Sequence, residues 1–186
     1  MMLEGSDNPY VMHLPAWEGN LRTRFFFGDN NWRDKTIFAE KQENITKVTV
    51  DYPERKAQSF VLERQADGFQ ISALYNPAES GVANNSKVEA FLEGFKSLGA
   101  EGFENDNDKI ESLVAGTPFS TVSLTNNKGK TTSISVFPLL QKDENNKPLP
   151  DQTVERYVAK SSTGDFYLIQ QLVFGKIFWS YDAFQG

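Results

Sequence analysis

Cysteine is absent from this sequence, and histidine occurs once, at His13. The first absence excludes disulfides, thiolate nucleophiles and cysteine-ligated metals. His13 sits in a predicted strand with no carboxylate motif nearby, which makes it a poor candidate for catalysis. No apolar run approaches the roughly 20 residues that a membrane span needs. The opening Met1-Met2-Leu3-Glu4-Gly5-Ser6 is turn-like and does not read as a signal peptide. Basic residues are scattered, and 19 Lys and Arg against 25 Asp and Glu leave a net charge of −6. A nucleic-acid binder needs a basic face to neutralise phosphates, so the charge argues against that partner class. Glycine-rich phosphate loops, nucleophile elbows and zinc-binding helix motifs are all missing. Glu104, Asp106 and Asp108 imitate a calcium loop, but Lys109 stands where the tight turn needs glycine, and Ala115 where a bidentate glutamate closes the site. Asp106 or Asp108 is expected instead to cap a short helix near Lys109–Val114. The residues therefore carry no catalytic constellation, no metal site and no cofactor motif.

What the chain does have is apolar substance. Hydrophobic residues make up 39% of its 186 residues, with 15 Phe among them, enough for one domain with a real core. Val48, Val50 and Tyr52 share one parity, while Lys47, Thr49 and Asp51 take the other, the period of a half-buried strand. Pro53-Glu54-Arg55-Lys56 breaks that pattern as a turn. Phe60 and Leu62 resume it, and Asp67-Gly68 reads as a two-residue hairpin before Phe69, Ile71 and Ala73 alternate again. These runs predict a three-stranded antiparallel meander. Ser86 followed by Glu89 predicts a capped helix start. Val88, Phe91, Leu92, Phe95 and Leu98 then form one apolar stripe, with Gly99 as the C-terminal stop. Gly94 inside that stretch implies a close approach by a neighbouring strand.

Two more hairpins follow. One joins Phe119–Thr125 to Thr131–Leu139 across Asn126-Asn127-Lys128-Gly129, and the other joins Thr153–Lys160 to Asp165–Gln170 around Ser162-Thr163-Gly164. Gln141–Pro150 is polar and loop-like. The closing Leu172–Phe184 is very aromatic and is expected to pack on the sheet as a short helical turn. The fold class is thus α+β: an antiparallel β-rich sheet of hairpins, one main amphipathic helix packed on a face, and short extra helical turns.

Residues 1–40 lack a unit of their own and read as the closing segment of a preceding, repeat-like unit, packed on a main domain of residues 41–186. Aligning Tyr10 with Tyr167 sets Val11-Met12 against Leu168-Ile169, Trp17 against Phe174 and Leu21 against Phe178. The aromatic density there needs a surface to bury against. Packing in a core or between units is one reading. A ligand or partner surface of Trp17, Arg22, Arg24, Trp32, Arg33 and Trp179 is the other.

The runs Met2-Leu3-Glu4-Gly5-Ser6-Asp7, Pro9-Tyr10-Val11-Met12-His13-Leu14-Pro15, Trp32-Arg33-Asp34-Lys35-Thr36-Ile37-Phe38 and Ser59-Phe60-Val61-Leu62-Glu63-Arg64 resemble the C-terminal part of domain-of-unknown-function 4340 (DUF4340) proteins. The resemblance covers nearly the whole chain and supplies no catalytic residues. It implies longer relatives with an N-terminal membrane anchor and an earlier β-rich unit. It also implies an extracytoplasmic, periplasmic setting in Gram-negative envelopes, and for some members an association with ABC-type transport systems. On that resemblance the chain is expected to be a fragment or a shortened reading frame. The expected function is a non-catalytic interaction or accessory module with protein partners in the envelope. A glycan or small-ligand binding module is the alternative.

Overall fold

A computed structural model describes residues 32–141, 143, 149 and 152–184. The chain divides into two compact units, Met1–Arg33 and Asp34–Gly186, and the second holds nearly all of the described residues. Strand β1 (Thr36–Phe38) opens that second unit and buries Phe38. Next, β2 (Ile45–Asp51) buries Ile45, Val48 and Val50. The register shift between Ile45 and Lys47 lets residues of opposite parity face the same side. With β3 (Phe60–Gln65) and β4 (Gly68–Ala73) it forms the predicted meander, in which Val48 faces Leu62 and Leu62 faces Ile71. The connecting turn is Ala66-Asp67, one residue earlier than the sequence signal, because Gln65 already pairs with Gly68. Gly68 takes φ 139° as the first residue of β4, a backbone setting that glycine tolerates.

A short strand that the sequence does not signal, β5 (Ser80–Val82), then adds to β4. Helix α1 (Asn85–Glu93) follows it, and the two-residue strands β6 (Leu98–Gly99) and β7 (Gly102–Phe103) come next. After the one-turn helix α2 (Ile110–Leu113), strands β8 (Ser120–Asn126), β9 (Thr131–Pro138), β10 (Arg156–Ser161) and β11 (Phe166–Gln170) make the two predicted hairpins. Helix α3 (Gln171–Phe174) and the 3-10 turns Gly175–Ile177 and Tyr181–Phe184 close the unit. Among the described residues the main sheet has nine antiparallel strands in the order β5-β4-β3-β2-β8-β9-β10-β11-β7, while β1 and β6 form a separate ribbon. The β2–β8 pairing welds the N-terminal meander to the C-terminal one.

One face of this sheet is apolar. Val50, Phe60, Leu62, Ile71, Val122, Leu124, Ile134, Val136 and Ile169 share a single core cluster with Phe91, Leu92 and Phe95, and with Phe174, Ile177, Tyr181 and Phe184. The cover is therefore α1 together with the C-terminal aromatic segment. The opposite face is zipped by hydroxyls: Thr121 with Ser135 at 3.2 Å, Ser123 with Ser133 at 2.8 Å and Thr125 with Thr131 at 2.9 Å. Cross-strand pairs of this kind hold register at the surface. A small apolar patch interrupts that face, where buried Val158 lies between Phe137 and Leu168 across the strands.

The helix departs from its sequence reading at both ends. Its N-cap is Asn84, whose side-chain carbonyl accepts from the Lys87 N–H at 3.3 Å, so Ser86 lies inside the first turn. Asn is as good a cap as Ser, and a suitable residue two positions earlier takes the role. The helix stops at Glu93, and Leu98–Gly99 is a strand, so Gly99 is not its C-terminal stop. Gly94 marks a close approach, but to the C-terminal segment: a Cβ there would meet the Phe91 carbonyl at 2.8 Å and Ile177 Cγ2 at 3.0 Å. Val88, Phe91, Leu92, Phe95 and Leu98 are nonetheless all buried. Neither Asp106 nor Asp108 caps α2; the side chain of Asn107 accepts from the Lys109 N–H at 3.0 Å instead. The N-terminal residues of the repeat alignment, Tyr10 to Leu21, and most of Gln141–Pro150 lie outside the described residues. Leu92→Ala is expected to lower stability by about 2–5 kcal/mol. Asn84→Ala should cost about 1 kcal/mol, whereas Ser86→Ala should stay within about 0.5 kcal/mol. Urea midpoints of the three variants check the cap and the stripe together.

Candidate functional site

Three of the six surface residues suggested by the sequence, Trp17, Arg22 and Arg24, lie outside the described residues. Trp32 is 65% exposed and Arg33 is also exposed; both fall in the first unit. Trp179 falls in the second and is half-buried. Its ring packs against Phe91 at 5.5 Å and Phe184 at 5.3 Å, and its carbonyl accepts the Tyr52 hydroxyl at 3.0 Å. Trp179 is thus a packing residue at the margin of the core.

A different constellation forms where β10 begins and β11 ends. Register places Arg156 opposite Gln170, and the loop between β6 and β7 brings Glu101 to the same spot, its N–H bonded to the Leu168 carbonyl at 2.8 Å. Arg156 grips Glu101 with both arms of its guanidinium, Nε to Oε2 at 2.8 Å and a terminal nitrogen to Oε1 at 3.3 Å. Gln170 Nε2 donates to the same carboxylate at 3.0 Å, and Lys35 Nζ donates to the Glu101 carbonyl at 3.1 Å. Behind this group the chain turns into α3, fixed by the Gln171 N–H on the Glu155 carbonyl at 2.8 Å and the Tyr157 hydroxyl on Gln171 Oε1 at 2.7 Å. A groove of about 410 Å³ results, lined by Thr153, Val154, Glu155, Arg156, Gln170, Gln171 and Leu172. A second hollow of about 310 Å³ adjoins it through Arg156 and reaches Leu139 and Leu140. Leu172 stands at the rim with 91% of its surface exposed.

Recognition suits this cleft better than acid–base chemistry. Hydrogen bonds from Arg156 and then Gln170 hold the Glu101 carboxyl below the ordinary value of 4.5, and the Glu101 carboxylate pushes Arg156 further up. Both groups stay charged and locked on each other at neutral pH, and neither titrates near it. Among the described residues, no three His, Cys, Asp or Glu side chains gather as a metal site. No local pattern in the sequence marks the cleft. Glu101 and Arg156 lie 55 positions apart, and Leu172 opens an aromatic run that reads as core.

The model of the family described as "Domain of unknown function (DUF4340)" matches residues 11–115. That span takes in the first meander, α1 and the Glu101 side of the cleft, and it stops before β8. No curated protein and no solved structure matches the chain. Because the folded-state value of Glu101 is depressed, its contribution to stability is present above 4.5 and is lost as the pH falls through and below that value. Glu101→Gln is therefore expected to flatten the acid limb of the urea-midpoint profile while changing the neutral midpoint little, since the pair is exposed. An acid limb with the wild-type slope would mean that the pair carries no linkage.

Proposed function

The chain belongs to the DUF4340 family, and we propose that it is a non-catalytic, extracytoplasmic interaction module of a membrane-anchored envelope protein that works beside an ABC-type transport system. The observation that carries this reading is Leu172, 91% exposed at the rim of a cleft whose Arg156 is already paired with Glu101. A large apolar side chain offered to solvent beside satisfied polar groups has the anatomy of a protein-docking surface. The partner gains apolar contact with Leu172, Val154 and Leu140 and need not break the Glu101–Arg156 pair to reach it. The envelope setting is supported by the resemblance of the Trp32–Phe38 and Ser59–Arg64 runs. Among the described residues no helix is long and apolar enough to cross a membrane.

A second reading is favoured by one specific feature. Tyr75 is 49% exposed over a hollow of about 440 Å³ that also presents Lys56, Asn76, Glu79 and Asp182. Its hydroxyl is tethered to Asp51 at 2.9 Å, so the ring is preorganised, as a glycan platform requires. The exposed Trp32 would serve the same alternative.

Capture of partners from the protein's native membranes, with wild-type and Leu172→Asp chains as parallel baits, tests the first reading. Wild type should retain a discrete partner protein, and the variant should weaken that capture by about tenfold, the loss of roughly 1.4 kcal/mol. Equal capture by both baits would remove the cleft from the interaction.

A further inference from the structure

We propose that β5 is a self-complementary sheet edge through which two copies of this chain pair antiparallel about Gly81, joining their sheets edge to edge. The proposal is independent of the Leu172 cleft, which lies on other elements. Its basis is the hydrogen-bond parity of β4 and β5. Ile71 pairs with Gly81, and the flanking bonds run from the Ala83 N–H to the Phe69 carbonyl at 3.0 Å and from the Ala73 N–H to the Glu79 carbonyl at 2.9 Å. Bonded and non-bonded rungs alternate in an antiparallel pair, so Ser80 and Val82 occupy the non-bonded rungs. Their N–H and C=O groups therefore point away from β4. Among the described residues no strand lies on that side, because β5 ends the sheet order.

An edge with free donors and acceptors accepts another extended strand. Three features favour a second copy as the occupant. The outward residues are arranged symmetrically about Gly81, so a two-fold axis there sets Ser80 opposite Val82 of the other copy, and the reverse, with every outward group matched. Gly81 itself offers no obstacle at the axis: a Cβ built on it would meet nothing within 4 Å. The strand carries no charge, and this register sets Glu79 opposite Ala83 of the second copy, so no like charges face each other. Val82, now 88% exposed at the mouth of a groove of about 470 Å³ beside Ala66 and Gln70, would be partly covered against Ser80 of the other copy. The contact is short, so the dimer is a weak, reversible one.

Cysteine-free sequence makes the test clean. In this register Gly81 faces itself across a non-bonded rung, with Cα atoms about 4.5 Å apart, a separation that a disulfide spans. Gly81→Cys should form a covalent dimer under mild oxidation at least tenfold faster than Gly116→Cys, an exposed loop control. Adding Val82→Pro removes one outward N–H without touching a bond to β4, and should abolish the fast cross-link while far-UV circular dichroism stays unchanged. Val82→Lys serves in its place if the proline variant fails to fold. Sedimentation equilibrium of the wild type should show a reversible dimer at high micromolar concentration. Cross-linking of Gly81→Cys no faster than the control would overturn the proposal, as would a dimer that survives both Val82 substitutions.

Discussion

Everything in the Asp34–Gly186 unit depends on closing one apolar sheet face. A nine-stranded sheet is too wide for a nine-residue helix to cover alone. The C-terminal segment completes the cover, and the two pieces meet at Phe91. That ring contacts Phe60 of the sheet at 5.7 Å, Phe95 at 5.3 Å, Trp179 at 5.5 Å and Phe184 at 5.2 Å. The contacts with Phe60, Phe95 and Phe184 are edge-to-face, an arrangement that sets the positive edge of one ring against the negative face of the next, while the Trp179 ring is tilted at 49°. Gly94 is a steric condition for this junction, since a Cβ there would clash with the Phe91 carbonyl at 2.8 Å and crowd Ile177 Cγ2 at 3.0 Å. Phe60, Phe91, Phe95 and Phe184 thus meet in one seam.

The opposite face follows from the same constraint. Among the described residues the cover lies on one side, and on the other short hydroxyl side chains bonded across β8 and β9 are compatible with water. Charged pairs add to it: Lys47 with Glu63 across β2 and β3, and Arg156 with Glu101 where β10 begins. The ends of the sheet differ in character. At one, Glu101 and Glu104 donate their N–H groups to Leu168 and Phe166, so the chain itself covers β11. At the other, β5 is exposed along its whole length.

How much of this was legible in the sequence depended on length and locality. Strands of five or more residues announce themselves by alternation, so β2, β3, β4 and the later hairpins were readable from Val48-Val50, Phe60-Leu62 and Phe69-Ile71 onward. Strands β5, β6 and β7, of two or three residues, are too short to show a period. The helix was visible through its stripe, but its ends were not. Asn84 and Ser86 are both competent caps, and Phe95 and Leu98 lie beyond the helix and are buried at β1, where both meet Phe38, so burial periodicity outran the helix itself. The cleft was illegible because its pairing of Glu101 with Arg156 exists only once β10 and β11 lie side by side.

The most direct test of a cover made from two cooperating pieces is a double-mutant cycle between Phe91 and Phe184, read by urea unfolding. Phe91→Ala and Phe184→Ala each truncate one ring of a pair whose centroids lie 5.2 Å apart. A shared seam gives a coupling energy of about 0.5–3 kcal/mol, with the double variant less destabilised than the sum of the two. Additive losses, with a coupling near zero, would show that α1 and the C-terminal segment cover the sheet independently and would contradict the account.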